Sequence, residues 1–315
     1  MEKANYPCDL HCHTNRSDGN DSPETVVRYA AELGMKVLAL TDHDVRPAKD
    51  GQVDGHTVDL VEYAASLGLL LLPGIEVSCE TNIDDVHIVG LMCDWQDPWF
   101  QQLEEFTVKS KVEGYKKLVH ILDDSGYHMT WDEILNSRDM QLPEDQIQKK
   151  YIFEWMAQKG YVNSWKEGKL LVRSNDRFNV RREKPGAREV IDRIHAAGGI
   201  AILAHPYLIN ERMSWNGRET DRETFINSLF EAGLDGIEAC YTYGKTSYSG
   251  PLNQSEIEKE VISRFGRPGR IISGGSDYHG DGKKGVENPR SIGECGISMG
   301  AFEGIKTWLV SKRSD

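Results

Sequence analysis

Histidines and carboxylates of this chain fall where short apolar runs end. His11 and His13 close the run CDLHCH, and His43 closes VLALTDHD. The other members of the set are Asp18 in the loop after the first run, Glu76 in LLLLPGIEVS, His87 in DVHIVGLM, His205 after IAILA, and Asp277 with His279 after RIISGG. Imidazole and carboxylate ligands without thiolates suit divalent metals such as Mn, Zn or Fe. A ring of strands that ends in these groups would direct them to a single metal centre.

The HxH segment places both imidazoles on one face of a strand, because side chains two residues apart project in the same direction. The two positions are about 7 Å apart along the backbone, so both rings can reach one cation. Cys12 lies between them and should point to the opposite face, away from any metal. An HxH pair alone could be two surface histidines, but Asp18, His43 and Glu76 favour a shared site.

Seven apolar runs alternate with helical patterns, and the strands and helices that these predict must position the candidate ligands. Near-continuous apolar runs are typical of a parallel sheet that is covered by helices. Local signals mark the helices: Ser22 and Pro23 begin one, and Gly34 and Gly68 follow two helix ends. The predicted strands are CDLHC, VLAL, LLLLPGIEV, DVHIVGLM, IAILA, GIEAC and RIISGG.

An open, doubly wound sheet would show the same alternation, but the placement of the candidate ligands favours a barrel. Ligand-type residues end the first, second, third, fifth and seventh strands, and the fourth strand carries one within it. An open sheet collects ligands at one crevice, whereas a closed barrel brings all strand ends around one mouth. We therefore predict an α/β barrel.

The rhythm stops near Asp97 and Pro98 and resumes after Pro185. The stretch between them reads as helices rich in aromatic and charged residues, and it is longer than an ordinary connection. We predict a first barrel part over residues 1–97, an inserted helical cap domain over residues 98–182, and a second barrel part over residues 183–315.

Charge and composition exclude some classes of protein. The 315 residues carry a formal net charge of −13, which argues against a general nucleic-acid-binding surface. No apolar run approaches the roughly 18 residues that a membrane span needs. The first residues, MEKANYP, lack the apolar core of a secretory signal, and the six cysteines form no CxxC pair. We expect a cytoplasmic protein with reduced thiols and no membrane partner.

The segments DLHCHTNRSDG, ALTDHD, PGIEVS, HIVGL, AHP and GGSDYH together resemble the PHP (polymerase and histidinol phosphatase) family of metal-dependent phosphoesterases. They occur in that family's order and cover the chain outside the insertion. The resemblance implies a distorted seven-stranded, TIM-like (β/α) barrel of PHP type. It also implies a centre with two or three divalent metal ions (Mn, Zn or Fe).

The resemblance further implies how nine side chains would share these metals. The first metal would be held by His11, His13, Glu76 and Asp277, the second by Asp18, His43 and His279, and the third by Glu76, His87 and His205. With Glu76 as a bridge, each metal receives about three or four protein ligands. Coordination positions then stay open for water and substrate, which is typical of a catalytic site.

Such a centre predicts hydrolysis of a phosphate ester, with a hydroxide on the metals as the nucleophile and no side-chain nucleophile. The expected substrate is a small phosphorylated metabolite: a nucleotide bisphosphate, a cyclic phosphate or a sugar phosphate. The alternatives are an exonuclease on short oligonucleotides and a histidinol-phosphate phosphatase. The acidic surface argues against long nucleic acid, and no carboxylate for the histidinol amine is identifiable. A non-catalytic module and a non-phosphate hydrolase are further alternatives. The sequence does not determine the oligomeric state.

Cations that could anchor the charges of such a substrate lie outside the metal motifs. The candidates are Arg16, Lys149, Lys150, Lys283 and Lys284. The resemblance implies basic residues of the insertion at about the place of Lys149. Glu238 ends the sixth strand, so it could support the metals or contact the substrate. Asp42 or Asp44, on either side of His43, could orient a ligand.

Overall fold

The computed structural model describes residues 4–137 and 142–312. Two compact units make up the chain. The main unit combines Met1–Leu103 with Pro185–Asp315, and the second unit is Glu104–Lys184. The main unit contains all the strands of the described residues.

The main unit is built on a seven-stranded sheet. The strands in chain order are Cys8–Asp9 (β1), Val37–Leu40 (β2), Asp50–Val53 (β3), His56–Asp59 (β4), Leu70–Ser78 (β5), His87–Leu91 (β6), Ile200–Leu203 (β7), Arg212–Trp215 (β8), Arg218–Asp221 (β9), Gly236–Cys240 (β10) and Ile271–Gly274 (β11). The sheet has the order β1-β2-β5-β6-β7-β10-β11. Its strands are almost entirely buried, as expected for a sheet with helices on its outer face.

Local sequence signals explain where several helices begin. Pro23 opens the first helix, where its missing N–H costs nothing. The Asp59 side chain accepts hydrogen bonds from two backbone N–H groups at the start of the second helix. The helices are Pro23–Glu32 (α1), Leu60–Ser66 (α2), Pro98–Leu122 (α3), Trp131–Leu135 (α4), Lys149–Gln158 (α5), Trp165–Arg173 (α6), Ala187–Ala196 (α7), Arg222–Glu231 (α8), Gln254–Phe265 (α9) and Met299–Lys312 (α10).

The prediction of an all-parallel sheet is wrong at β6. This strand runs antiparallel to both of its neighbours, β5 and β7, whereas the other neighbouring pairs in the sheet are parallel. Only residues 79–86 connect β5 to β6. A parallel crossover needs about a dozen residues or more, so this short connection permits only a return in the opposite direction.

Two hairpins outside the barrel were missing from the sequence-based prediction. Asp54-Gly55 joins β3 to β4, and Asn216-Gly217 joins β8 to β9. All four turn residues have positive φ angles. Type I′ turns require this conformation, and Asp-Gly and Asn-Gly are the pairs that adopt it most readily. The signal for both hairpins was therefore present in the sequence.

Backbone hydrogen bonds between the segments that follow β1 and β11 nearly close the sheet, which confirms the predicted barrel. The N–H of Asp277 donates to the carbonyl of His11 at 2.8 Å, and the N–H of His13 donates to the carbonyl of Tyr278 at 2.8 Å. Gly275 permits this approach, because a Cβ at that position would lie 2.3 Å from the Cβ of His11. The two ends of the sheet thus bring the first and last candidate ligands together.

The described residues of the second unit are helical, and the predicted cap domain over residues 98–182 stays a prediction. It contains the later turns of α3 together with α4, α5 and α6. Its own core is formed by the buried side chains of Leu118, Ile152, Phe153, Trp155 and Met156 with their neighbours. Trp155 stacks on Tyr161 with ring centroids 6.1 Å apart, so these aromatic side chains pack within the unit.

Within residues 4–137 and 142–312, every helix is too short or too polar to cross a lipid bilayer. All six cysteines are buried, and none of them forms a disulfide.

Candidate metal centre

The HxH segment directs both of its imidazoles into the mouth of the barrel. His11 and His13 are buried, and their Nε2 atoms lie 3.1 Å apart. Cys12 faces the other way, with its Sγ 3.7 Å from the hydroxyl of Ser276. It packs in an apolar cluster that includes Val26. The prediction that Cys12 points away from the metal-type side chains is therefore confirmed.

Glu76 lies at the centre of the histidines. Its Oε2 atom is 3.1 Å from the Nε2 atoms of His11 and His13 and 3.1 Å from the Nδ1 atom of His43. Its Oε1 atom is 2.9 Å from the Nδ1 atom of His87 and from the Nε2 atom of His205. One buried carboxylate thus faces five imidazoles from four parts of the barrel: the segments after β1, β2 and β7, and the strand β6.

Three overlapping groups of side chains could each hold one cation, because the ligand-type atoms within a group lie within 4.8 Å of one another. The groups are His11, His13, Glu76 and Asp277; His13, Asp18, His43 and His279; and His43, Glu76 and His87. His205 adjoins the third group, with its Nε2 atom 3.2 Å from the Nδ1 atom of His87.

All nine predicted ligands therefore meet in one centre. The grouping differs from the one that the family resemblance implies, because His13 and His43 each belong to two groups. Asp18 is the most exposed member, with 57% of its side-chain surface accessible, and its Oδ1 atom lies 3.0 Å from Nε2 of His279. The assignment of each side chain to a particular ion stays a prediction.

Charges within the centre shift its pKa values in both directions. Burial opposes the charged form of His11, but the carboxylates around it, Glu76 first, raise its pKa well above the usual value. Burial also opposes charge on His13, yet the carboxylates of Asp277 and Glu76 next to its ring raise its pKa to about 10. Burial dominates at His43 and lowers its pKa to about 4. The buried carboxylates thus draw positive charge, which is the electrostatic condition for binding divalent cations.

The donor set fits a divalent metal. Buried polar atoms are rarely left without a partner in folded proteins. Among the described residues, however, Glu76 Oε2 and His43 Nδ1 have no hydrogen-bond partner, although they lie only 3.1 Å apart. A shared cation would satisfy both atoms. Imidazoles and carboxylates without thiolates are ligands that Mn, Zn and Fe accept.

Carboxylates around the centre hold its segments in place. Asp42 accepts hydrogen bonds from the backbone N–H and the hydroxyl of Thr14, at 2.8 and 2.7 Å. Asp44 accepts hydrogen bonds from the backbone N–H and the hydroxyl of Ser78, at 2.8 and 3.0 Å. Both carboxylates therefore fix the backbone next to candidate ligands, which is the orienting function that the sequence suggested for one of them.

Glu238 supports two of the histidines. Its Oε1 atom lies 3.3 Å from Nδ1 of His11, and its Oε2 atom accepts a hydrogen bond from the backbone N–H of His205 at 2.8 Å. An imidazole whose Nδ1–H is donated to a carboxylate presents Nε2 to a metal. Of the two functions considered for Glu238, the geometry favours support of the ligands.

A cavity of about 240 Å³ opens onto the centre, and sequence reasoning missed several residues that line it. These residues include Asp85, Tyr241, Lys245, Ser247 and Arg290. Tyr241 directly follows β10, so its place at a strand end was a usable signal. Arg290 lies in the loop KKGVENPRSIG, where no spacing or motif distinguishes it.

The cations predicted to bind substrate lie in two parts of the molecule. In the main unit, the guanidinium of Arg16 donates to the carbonyl of Arg46 at 3.3 Å, Lys283 pairs with Asp21, and Lys284 donates to the carbonyl of Asp18 at 3.1 Å. In the second unit, Lys150 pairs with Glu154 at 3.0 Å, and burial lowers the pKa of Lys149. Their contact with a substrate stays a prediction.

A nearly closed barrel whose strand ends gather imidazoles and carboxylates around one carboxylate has the architecture of a metal-dependent hydrolase. Comparison with known proteins identifies the family to which this hydrolase belongs. The PHP domain family matches residues 9–200, and the chain belongs to this family. It is a phosphoesterase, and the predicted family and fold are both confirmed.

Similar proteins cover nearly the whole chain. The "5'-3' exoribonuclease" of Haemophilus influenzae is 30% identical over 86% of this chain and 89% of its own length. The "3',5'-nucleoside bisphosphate phosphatase" of Chromobacterium violaceum is 28% identical over 88% of each chain. A solved structure of a protein designated a metal-dependent phosphoesterase, from Bifidobacterium adolescentis, is 23% identical with a TM-score of 0.64 and covers 98% of both chains.

Proposed function

We propose that this protein binds two or three divalent cations through its nine clustered side chains and hydrolyses a phosphate ester of a small phosphorylated metabolite. A nucleoside bisphosphate is the first candidate substrate. The observation that carries the proposal is the set of three overlapping ligand groups around Glu76, beside a cavity that also contains Lys245 and Arg290. The similarity to a nucleoside bisphosphate phosphatase supports the choice of substrate.

Divalent cations in these groups, with Mn, Zn and Fe as candidates, would supply an activated water and neutralise charge on the phosphoryl oxygens. The side chains of the protein fix where this happens. Glu238 sets the orientation of His11, and Asp42 and Asp44 hold the segments on both sides of His43. The exposed carboxylate of Asp18 lies at the open side of the centre.

A substrate with a second phosphate needs a second anchor. We propose Arg16, Lys283 and Lys284 from the main unit, and Lys149 and Lys150 from the second unit, as candidates. Lys283 is paired with Asp21, so binding of a phosphate by Lys283 would require an exchange of partners. Charge-assisted hydrogen bonds to phosphate are strong enough to make such an exchange favourable.

A second candidate function is removal of nucleotides from the 5′ end of RNA. The similarity to an exoribonuclease over most of both chains favours it. This similarity also weakens the expectation that long nucleic acid is not a substrate. The net charge of −13 opposes binding of a long polyanion. We therefore place a short oligoribonucleotide ahead of a long one.

The test is phosphate release by the Mn²⁺-loaded protein from a panel of nucleoside bisphosphates, cyclic phosphates, sugar phosphates and histidinol phosphate. A 3′-labelled, 5′-phosphorylated oligoribonucleotide is assayed in parallel. Phosphate release from a bisphosphate without shortening of the oligonucleotide supports the first function, and stepwise shortening supports the second. No reaction with any substrate, when bound metal has been measured, would overturn both.

A cytoplasmic location is also part of the proposal. It is supported by the six cysteines, none of which forms a disulfide, because disulfides are rare in that compartment. Fractionation of the native cells with detection of this protein would test it.

A further inference from the structure

Two side chains outside the nine candidate ligands donate hydrogen bonds to the same carboxylate oxygen of one candidate ligand, Asp277. The hydroxyl of Tyr241 donates to Asp277 Oδ2 at 2.7 Å, and Nη1 of Arg290 donates to the same oxygen at 2.5 Å. The other oxygen, Oδ1, faces the histidines and lies 3.0 Å from Nε2 of His13. The two oxygens of this carboxylate are thus engaged on opposite sides.

Arg290 is itself held in place. Its Nε atom donates to Asp281 Oδ2 at 2.7 Å, so its planar guanidinium is fixed by two carboxylates at once. The preceding residue, Pro289, accepts a hydrogen bond from the ammonium of Lys245 at 2.9 Å, and the same ammonium donates to Glu294 at 2.7 Å. The loop that carries Arg290 is therefore tied to the segment after β10, which also carries Tyr241.

We propose that Tyr241 and Arg290 are positioning residues that restrict Asp277 to binding a metal through Oδ1 alone. A carboxylate that is free to rotate can bind a cation through both oxygens and can occupy a coordination position that water or substrate needs. Two strong donors on Oδ2 prevent this rotation and fix the direction of Oδ1. The inference rests on the proposed metal centre but not on the identity of the substrate.

The two donors restrain Asp277 in different ways. Tyr241 is almost fully buried and contributes one neutral hydrogen bond. Arg290 donates one charged hydrogen bond to Asp277 and a second to Asp281. A lysine ammonium cannot reproduce this pair, because only a guanidinium holds several donors in a fixed plane. Tyr241→Phe therefore removes the hydroxyl that donates to Asp277 and keeps the aromatic ring. Arg290→Lys removes the guanidinium that donates to Asp277 and keeps the positive charge.

The experiment measures the affinity of the full-length, metal-free protein for Mn²⁺ alone by calorimetric titration. We expect the tightest Mn²⁺ site to weaken about 10- to 100-fold in each variant, the range typical of groups that orient metal ligands. Thermal unfolding without metal is measured alongside. The matched control is Arg264→Lys, which alters an ion pair with Glu223 and Glu260 on the surface.

Weakened Mn²⁺ binding in both variants, with the control at the wild-type value, supports the proposal. Wild-type Mn²⁺ affinity in either variant overturns it, and so does a loss of metal-free stability without a loss of affinity. This readout needs no substrate. Wild-type protein that binds Mn²⁺ but releases no phosphate would overturn the proposed function and leave the positioning of Asp277 to be judged from the affinities.

Discussion

Replacing Glu76 by glutamine should remove most of the stabilisation that divalent cations give to this protein. The two oxygens of Glu76 face five imidazole nitrogens at distances of 2.9–3.1 Å. Glutamine has nearly the same shape, but it carries no charge and its amide nitrogen cannot bind a cation. Two of the three ligand groups contain Glu76, so both should lose affinity together.

The size of the effect follows from linkage between binding and folding. A cation that binds only the folded state stabilises it by about 4.1 kcal/mol when its free concentration is about 1,000 times its Kd. If the loss of Glu76 weakens binding about 100-fold, the top of the range for groups that only orient ligands, the remaining stabilisation is about 1.4 kcal/mol. About 2.7 kcal/mol of metal-dependent stability should then be lost.

The assay is thermal or chemical unfolding of wild type and Glu76→Gln, each with and without Mn²⁺. Without metal the variant should itself be less stable, because buried histidines lose their anion. The quantity to compare is therefore the increase that Mn²⁺ produces in each protein. Glu303→Gln, at an exposed ion pair with Lys306, is the control and should keep the full increase. An undiminished increase in Glu76→Gln would refute a central function for this carboxylate.

Two further changes test other parts of the molecule. Asp18→Asn should remove about one bound metal per chain and spare the others, because Asp18 belongs only to the group at the open side of the centre. Elemental analysis after dialysis measures the number of metals bound per chain. An unchanged number would contradict this prediction. Asp235 accepts hydrogen bonds from His195 at 2.7 Å and from Lys312. Burial opposes its ionisation, but these donors outweigh burial and lower its pKa. Its contribution to stability should be present above about pH 4, the usual pKa of an aspartate, and should fall as the pH drops further. The difference in free energy of unfolding between wild type and Asp235→Asn should therefore shrink in acid, and a difference that stays constant between pH 7 and pH 3 would be the wrong result.

The architecture could be predicted because apolar runs and helix caps are local signals. The direction of β6 was missed, because an apolar run reads the same for a parallel and an antiparallel strand. The short connection at residues 79–86 was the decisive clue. The Asp54-Gly55 and Asn216-Gly217 turns were equally readable as hairpins and were overlooked.

The second unit shows where prediction from sequence ends. Its helices and its own apolar core follow from local patterns and burial. Its predicted function as a cap that supplies Lys149 or Lys150 to the substrate stays a prediction, because the direction of long, flexible ammonium side chains is not set by any repeat or spacing.

The sequence by itself determined the set of candidate ligands, since His11, His13, Glu76 and Asp277 all lie in or directly after strands whose apolar character is plain. Residue types and strand-end positions were enough to predict a metal centre and a reaction class. Only the tertiary structure decided which of these side chains contact one another and at what distances.

The pairing of the segment after β1 with the segment after β11 sets distances between residues more than 260 positions apart, such as His13 and Asp277. It also places Tyr241 and Arg290 on the far oxygen of Asp277. Contacts of this kind depend on the register in which the barrel closes. That register is a property of the whole packed sheet and leaves no signal at any one position of the chain.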